Sequence, residues 1–350
     1  MKKFLALLLA LTMALALVAC GGGNDSSDTA TSGGDSESGF EPMTWKFACS
    51  ATETSPWVDG AKEFARIVGE KTGGAITVQY YPADQLTAGS QTDGIQALMD
   101  GTTEISMHSN LIWSSFDQRF NVVSLPFLFD SVEEADAALD GAGGEALGEI
   151  LENEYNVHLL GIAENGFRHI TNSKRPIQSL ADMNGLKIRV AGSQVLNRAY
   201  QLWGADYTNA NWSEVFTALQ TGTYDGQENP LPTADAASIQ AVQNYLTYWT
   251  GAYDCLFFCM NADLYNSLSP ELQAIVDEAG QEACTYEREL NRGQDQEIMD
   301  KWADAGVEVS ELSADAAAEF AEASAPVYDE FADELTPELI EAFTSVTQAE

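Results

Sequence analysis

Short apolar segments alternate with stretches of helical periodicity near the start of the chain, and this alternation restricts the fold more than any other feature. The strand-like sequence MTWKFACS (43–50) precedes residues 57–71, whose apolar side chains recur at helical spacing. A strand (75–81), a helix (91–100) and the strand EISMHS follow. Because a β-α-β-α-β order builds parallel sheets covered by helices, the chain is predicted to have an α/β fold.

A second series of strands and helices begins near Val157. It includes the apolar strand LKIRV (186–190) and an aromatic-rich segment, 246–260, which is long enough for one strand pair or one strand that crosses between lobes. Residues 269–305 predict a single helix of about 50 Å. The folded part, about 310 residues, is longer than one hydrophobic core usually serves, so two lobes are predicted.

The N-terminal residues have the layout of a secretory signal. Lys2 and Lys3 precede a long apolar run that ends in small residues, so residues 1–19 are predicted to be a signal peptide. The alternative is an uncleaved transmembrane helix, since about 20 apolar residues span a bilayer. The sequence LVAC, which ends at Cys20, resembles the bacterial lipobox and predicts lipidation of Cys20. Residues 20–41, mostly small and polar, are then a lipidated flexible tether that holds the protein at the extracytoplasmic face of the cell membrane.

Composition excludes several classes of function. The chain has 16 Lys and Arg against 54 Asp and Glu, a net charge of -38, which argues against nucleic-acid binding. The cysteines have no metal-ligand spacing, and the sequence lacks a nucleophile elbow, a zinc-binding H-E-x-x-H motif and a glycine-rich phosphate loop. We therefore predict no enzyme activity, no cofactor and no metal. A secreted hydrolase remains an alternative from a different class.

A local basic region is the most informative departure from this acidity. Residues 168–189 contain five basic side chains and one acidic side chain, which makes the region a candidate anion site. The alternative is that these cations only balance neighbouring carboxylates. Arg189 lies in the apolar strand LKIRV, where an unpaired guanidinium is costly to bury. Arg168 follows a strand end, where α/β sheets tend to bind ligands.

A second polar cluster follows a predicted helix. Ser213 is a candidate N-cap, and Gly222 is expected to end the helix. Residues 225–230 are then predicted to form an irregular polar segment that either carries a binding surface or is a solvated loop.

Several continuous stretches resemble one known family. They are GFRHITNSKRPIQSLADMNGLKIRV, WGADYTNANWSEVFTALQTGTYDGQENP, EKTGGAITVQYYPADQL, LPFLF and SLSPELQAIVDEA. Together they resemble, in the expected order from 45 to 279, the solute-binding proteins of tripartite ATP-independent periplasmic (TRAP) transporters, of the four-carbon-dicarboxylate-binding (DctP) type.

The resemblance implies a two-lobed periplasmic-binding-protein-like fold with crossing hinge strands and a long helix that braces both lobes. The lobes are expected to comprise residues 42–165 with 255–294 (lobe I) and residues 166–254 with 295–350 (lobe II). The implied function is capture of a small carboxylate-bearing solute and its delivery to TRAP-type permease subunits in the membrane. A ligand-binding accessory of a signalling receptor is the alternative.

The resemblance also implies the site residues. Arg189 is expected to hold the ligand carboxylate, with Arg168 beside it. The other expected ligand-binding residues are Asn229, Trp212, Ser109 and Ser50. The chain departs from the family pattern at Ala252, where many members have His, and at Tyr207, where a Pro is common.

Overall fold

A computed structural model of the protein describes residues 39–345, and two mixed β-sheets organise this part of the chain. The strands of the first sheet, in spatial order, are β2 (Ile76–Tyr81), β1 (Met43–Cys49), β3 (Ile105–Ser109), β10 (Tyr253–Asn261) and β4 (Val157–Phe167). Those of the second are β11 (Glu308–Glu311), β9 (Tyr245–Tyr248), β5 (His169–Asn172), β8 (Gly226–Asn229), β6 (Lys187–Val190) and β7 (Asp206–Asn209).

Helices cover both sheets. They are α1 (Pro56–Lys71), α2 (Gln91–Met99), α3 (Asn110–Trp113), α4 (Val132–Leu139), α5 (Ala142–Tyr155), α6 (Gln194–Leu202), α7 (Trp212–Gln220), α8 (Leu231–Ala236), α9 (Ala262–Ser267), α10 (Pro270–Arg292), α11 (Asp295–Asp304), α12 (Ala314–Ser324), α13 (Pro326–Leu335) and α14 (Pro337–Thr344). Short 3-10 turns occupy Gln85–Thr87, Gln118–Ser124, Leu180–Met183 and Ile239–Ala241. The predicted α/β class is confirmed, and no helix of residues 39–345 is long and apolar enough to cross a membrane.

The predicted β-α-β-α-β series is confirmed. Strand β1 pairs in parallel with both β2 and β3, as expected when helices α1 and α2 connect the strands. Helix α1 forms because a proline opens it and because its buried residues, among them Val58, Ala61 and Phe64, recur on one face. The chain turns away at Gly73, whose φ of 62° lies in the left-handed region that glycine tolerates.

Two polar segments differ from their predicted structure. Residues 226–229 form the central strand β8 rather than an irregular or solvated segment, because the side chains of this strand find buried partners: Gln227 donates to Thr171 Oγ1 (3.1 Å). Ser213 is not the N-cap of α7, because the helix already begins at Trp212 and Asn211 precedes it. The Ser213 hydroxyl instead donates to the carbonyl oxygen of Gly89 at 3.1 Å.

The single helix predicted for 269–305 is also wrong in extent. Helix α10 ends at Arg292, and α11 begins at Asp295 after a break at Gly293. The two helices contact different parts of the fold. Helix α10 packs on α1 and β4 beside the first sheet, whereas α11 packs on α8 and β11 beside the second. Because of the break, α10 packs beside one sheet and α11, which follows it directly, packs beside the other.

Two further connections join the sheets and run side by side. Strand β4 of the first sheet continues through Arg168 into β5 of the second, and β9 of the second continues through residues 249–252 into β10 of the first. Phe167 is in register with Tyr253, and the N–H of Arg168 donates to the carbonyl oxygen of Ala252 at 2.9 Å. Segment 246–260 therefore crosses from one sheet to the other and does not form a strand pair, because β9 and β10 belong to different sheets.

The four cysteines of the described residues, Cys49, Cys255, Cys259 and Cys284, are free thiols and are buried. They pack within the two largest clusters of apolar side chains. Cys255 and Cys259 lie in strand β10, all of whose residues are buried.

Candidate functional site

A cavity lies where the carboxyl ends of strands from both sheets meet. Its lining includes residues at or near the carboxyl ends of strands of the first sheet (Ser50, Ser109, Asn165) and of the second (Arg189, Asn229). The space outside protein atoms at this site is about 350 Å³, which includes the part open to solvent. This position agrees with the general tendency of open α/β sheets to bind ligands beyond the carboxyl ends of their strands.

Arg189 is a buried cation without a carboxylate partner among the described residues. Its side chain is 2 % exposed, and no ion pair to it is formed within residues 39–345. Nε and Nη2 donate to the carbonyl oxygen of Ala210 at 3.0 and 2.7 Å. Burial lowers the pKa of Arg189 to about 10, Glu228 acts in the opposite direction, and the charge of Arg168 lowers it further. The guanidinium therefore lacks a neutralising charge in direct contact.

The guanidinium also has hydrogens to spare. Two of its five N–H groups donate to the Ala210 carbonyl oxygen. The two hydrogens on Nη1 and the second hydrogen on Nη2 therefore have no protein acceptor within the described residues. Its carbon Cζ lies 5.7 Å from the ring centre of Trp212, close enough for a cation–π interaction.

Arg168 is buried in the same cavity wall but has two carboxylate partners. Its Nε donates to Glu228 and its Nη1 to Asp254, while Nη2 donates to the Glu228 carbonyl oxygen at 2.8 Å and to its carboxylate at 3.0 Å. Burial acts to lower the pKa of Arg168, but the charges of Glu228 and Asp254 outweigh it and hold the pKa above its ordinary value. Arg168 is a structural cation whose charge is already matched.

Trp212 and Asn229 line the cavity from the second sheet's side. Trp212 opens helix α7, and its backbone N–H donates to Gln91 Oε1 at 3.1 Å, which links α7 to α2 across the cavity rim. Asn229 is the last residue of β8, and its Nδ2 donates to Gln227 Oε1 at 2.8 Å. The bond to Gln227 fixes the orientation of the Asn229 amide.

Ser50 and Ser109 line the cavity from the first sheet's side, and each donates its hydroxyl hydrogen to a buried carboxylate. Ser50 Oγ lies 3.2 Å from Asp84 Oδ1, and Ser109 Oγ lies 2.7 Å from Asp254 Oδ1. Ser109 also caps helix α3 by accepting the N–H of Leu111 at 3.1 Å. Both hydroxyls therefore present oxygen lone pairs, and no hydrogen, to the cavity.

All six residues predicted for ligand binding line this one cavity: Arg189, Arg168, Asn229, Trp212, Ser109 and Ser50. Cys20, predicted to be lipidated, lies outside the described residues. The cavity also contains residues that the sequence analysis missed: Trp57, Gln91, Asn165, Thr233 and Asp254. Two of them carried a usable signal, since Asn165 and Asp254 are polar residues in mostly apolar strands.

Trp57 adds an uncharged donor, without an acceptor among residues 39–345, to the lining of the cavity. Its side chain is 4 % exposed, and its Nε1–H has no hydrogen-bond acceptor in the described part of the chain. Buried polar groups without partners are uncommon in folded proteins, so an orphan donor on a residue that lines a cavity points to a bound molecule.

Comparisons with known proteins agree with this architecture. Residues 47–335 match the DctP family, described as bacterial extracellular solute-binding protein, family 7. The 2,3-diketo-L-gulonate-binding periplasmic protein YiaO of Escherichia coli is 32% identical over 274 residues, which are 78% of this chain and 83% of that protein. The C4-dicarboxylate-binding protein DctB of Bacillus subtilis is 27% identical over 285 residues, 80% of this chain and 79% of that one.

A solved structure is similar over nearly the whole described region. It is a TRAP periplasmic solute-binding protein from Ralstonia eutropha with bound (S)-2-hydroxy-2-methyl-3-oxobutanoate. The TM-score is 0.83 at 30% identity, with 87% of this chain and 99% of that chain covered. The family match spans well over half of the sequence, and the two-lobed fold is shared. The chain therefore belongs to bacterial extracellular solute-binding protein family 7 and is a TRAP-type solute-binding protein.

Proposed function

We propose that this protein captures a small organic acid outside the cytoplasm by binding its carboxylate to Arg189, and delivers it to TRAP-type permease subunits. Arg168 supports the site from beside it, and Trp212 packs against the carbon skeleton. Asn229, Ser109 and Ser50 complete the contacts. The protein acts by binding and release, not by catalysis.

The observation that carries the proposal is the uncompensated charge of Arg189 in the cavity. A buried guanidinium is costly unless an anion pairs with it, and the flat fork of Arg matches a carboxylate with two parallel hydrogen bonds. Charge-assisted hydrogen bonds contribute about 1.5–3 kcal/mol each. A two-bond clamp would thus supply a large part of the roughly 8 kcal/mol that micromolar affinity requires.

The proposed lobes are residues 42–165 with 255–294 and residues 166–254 with 295–350. The segregation of the strands into two sheets supports this division, and closure of the lobes by hinge motion would enclose the ligand. Helix α14 departs from a strict separation, because it packs on α4 and α5. The C-terminal helices would therefore brace the first lobe as well as the second.

The proposed location is the extracytoplasmic face of the cell membrane, with residues 1–19 removed and Cys20 lipidated. The sequence LVAC followed by three glycines supports this arrangement. The wild type should incorporate a labelled fatty acid, and a Cys20→Ser variant should not. Equal labelling of the two proteins would contradict lipidation of Cys20.

The ligand is tested by a thermal-shift screen against small organic acids and their amides, with a chain that begins at position 20 and carries Cys20→Ser. A ligand that binds only the folded state raises stability by about 2.7 kcal/mol at a hundredfold excess over its Kd. We expect a shift with acids and none with amides, and we expect the bound acid to be recovered unchanged. A shift with neutral compounds only would refute the carboxylate clamp.

A further inference from the structure

We propose that the ligand is a hydroxylated monocarboxylate, a short acid that carries one carboxylate and several hydroxyl groups, rather than a dicarboxylate or a plain fatty acid. This inference rests on the proposed function, because it assumes that Arg189 takes the carboxylate. The relatives described above are named for a sugar acid, for C4 dicarboxylates and for a hydroxy-oxo acid, so the family alone leaves the class open.

The first argument is which charges are in contact around the cavity. Arg168 contacts two carboxylates, those of Glu228 and Asp254, whereas Arg189 contacts none within residues 39–345. Only Arg189 lacks a carboxylate among the lining residues that the structure describes. One ligand carboxylate would pair with the Arg189 guanidinium. A second would enter a buried space with no free cation, and a buried unpaired charge is strongly unfavourable.

The second argument is the direction of three hydrogen bonds. The hydroxyl hydrogens of Ser50, Ser109 and Thr233 are directed to Asp84, Asp254 and Asn165 Oδ1, the last at 2.7 Å. We call the three hydroxyl oxygens the acceptor group, because lone pairs are what they offer to a ligand. A carboxylate is acceptor-only and cannot bind them, whereas a ligand hydroxyl can donate to them.

The donor side of the cavity gives the third argument. The orphan Nε1–H of Trp57 offers a neutral donor, and a hydroxyl that donates to the acceptor group still has lone pairs with which to accept from Trp57. The indole rings of Trp57 and Trp212 add flat apolar surface against which C–H groups can pack. Charged, acceptor and donor groups together therefore match a polyhydroxy acid.

Cavity size limits the length of the ligand. The space outside protein atoms at this site is about 350 Å³ even when the part open to solvent is included. This upper limit suits an acid with a short carbon chain and excludes oligosaccharides.

Calorimetric titration with chemically matched probes tests the class. For chains of four and six carbons, four probes are compared: the aldonate, the aldarate with a carboxylate at both ends, the alditol with none, and the unsubstituted alkanoate. We expect an aldonate to bind best, about tenfold or more tighter than its matched aldarate and alkanoate, with no binding of the alditol. A dicarboxylate or alkanoate that binds as tightly would overturn this inference and leave the proposed function intact. Binding of no acid at all would refute the proposed function itself.

Trp57→Phe tests the donor. It removes the Nε1–H and keeps most of the apolar ring, so affinity for the best aldonate should fall about 3- to 10-fold, and affinity for the matched alkanoate should not fall. Trp45→Phe is the matched control, because the Nε1–H of Trp45 is also buried without a partner but lies in the core outside the cavity lining. Equal effects of the two variants, or equal losses for both probes, would contradict the assignment of Trp57.

Discussion

The guanidinium groups of Arg168 and Arg189 line one cavity, but Arg168 is held by two carboxylates whereas Arg189 contacts a single carbonyl oxygen, that of Ala210. The same residue type thus serves two purposes. Arg168 closes a buried ion network that belongs to the protein alone. Arg189 has no carboxylate in contact within residues 39–345, as the proposed clamp on a ligand carboxylate requires. The two residues should therefore respond in opposite ways when they are replaced.

Replacement of Arg189 should abolish binding and spare the fold. Arg189→Met should weaken ligand binding by about 3 kcal/mol or more, because the ligand carboxylate would be buried unpaired. The free energy of unfolding of the unliganded protein should change by no more than about 1 kcal/mol, since removal of an uncompensated buried charge offsets the lost hydrogen bonds. Calorimetry and urea unfolding measure the two effects. Lys187→Met, an exposed position on the same strand, is the control, and unchanged affinity in Arg189→Met would refute the clamp.

Replacement of Arg168 should damage the fold. Arg168→Met leaves Glu228 and Asp254 buried without a cation, so the free energy of unfolding should fall by about 3–5 kcal/mol. The triple variant that adds Glu228→Gln and Asp254→Asn should recover part of this loss in urea unfolding. Arg198→Met, which removes an exposed pair with Glu330, should have little effect. Equal stability of Arg168→Met and the wild type would contradict the role assigned to the network.

Two glycines of helix α1 should respond with opposite signs to alanine. A Cβ at Gly60 would lie 2.9 Å from Glu287 Cβ on α10, so Gly60→Ala should destabilise the protein by about 1–3 kcal/mol. A Cβ at Gly69 meets nothing closer than 3.8 Å, so Gly69→Ala should stabilise it by about 0.5–1 kcal/mol. Thermal and urea unfolding give both values. A stabilised Gly60→Ala would show that α1 and α10 can separate without cost.

Stability should depend on the ionisation of Asp295. Burial raises its pKa to about 6, against an ordinary value of 3.8, although Tyr248 donates to its carboxylate at 3.1 Å. Between these two pH values the folded protein binds more protons than the unfolded chain, so this contribution to stability is present below pH 3.8 and is lost as pH rises through 6.

At pH 7.5, Asp295→Asn should therefore raise the free energy of unfolding by about 1–3 kcal/mol, because the amide accepts the same hydrogen bond without a charge. At pH 4 the gain should nearly vanish. Asp300→Asn, on the exposed face of the same helix, is the control for the general effect of one charge fewer. A gain that is equal at both pH values would exclude titration of Asp295 as its cause.

Local pattern and family resemblance located much of this molecule in advance. Strands β1 to β3 follow from apolar periodicity, because their side chains pack in the simple way that periodicity records. The break at Gly293 was missed because a single glycine ends some helices, whereas other helices continue through it. Strand β8 was missed because its sequence, GQEN, has no apolar residue. Only the partners of Gln227 and Glu228, far away in sequence, make its burial tolerable.

The cavity was predicted unevenly for the same reason. Arg189 is recognisable because a charge in an apolar strand is unusual. Trp57 is not, because a tryptophan at the start of an amphipathic helix usually belongs to the core. The role of the serines depends on which way each hydroxyl hydrogen points, and that is set by Asp84 and Asp254, carboxylates that only the folded chain brings to Ser50 and Ser109.

The chain passes between its two sheets three times, at Arg168, at residues 249–252 and near Gly293. Proteins whose lobes share a single linker come apart when that linker is cut. Here a nick in any one passage would leave two others intact. Such redundancy makes the exposed passage near Gly293, rather than the two buried ones, a candidate place for an inserted reporter, which would sit between the helix beside the first sheet and the helix beside the second.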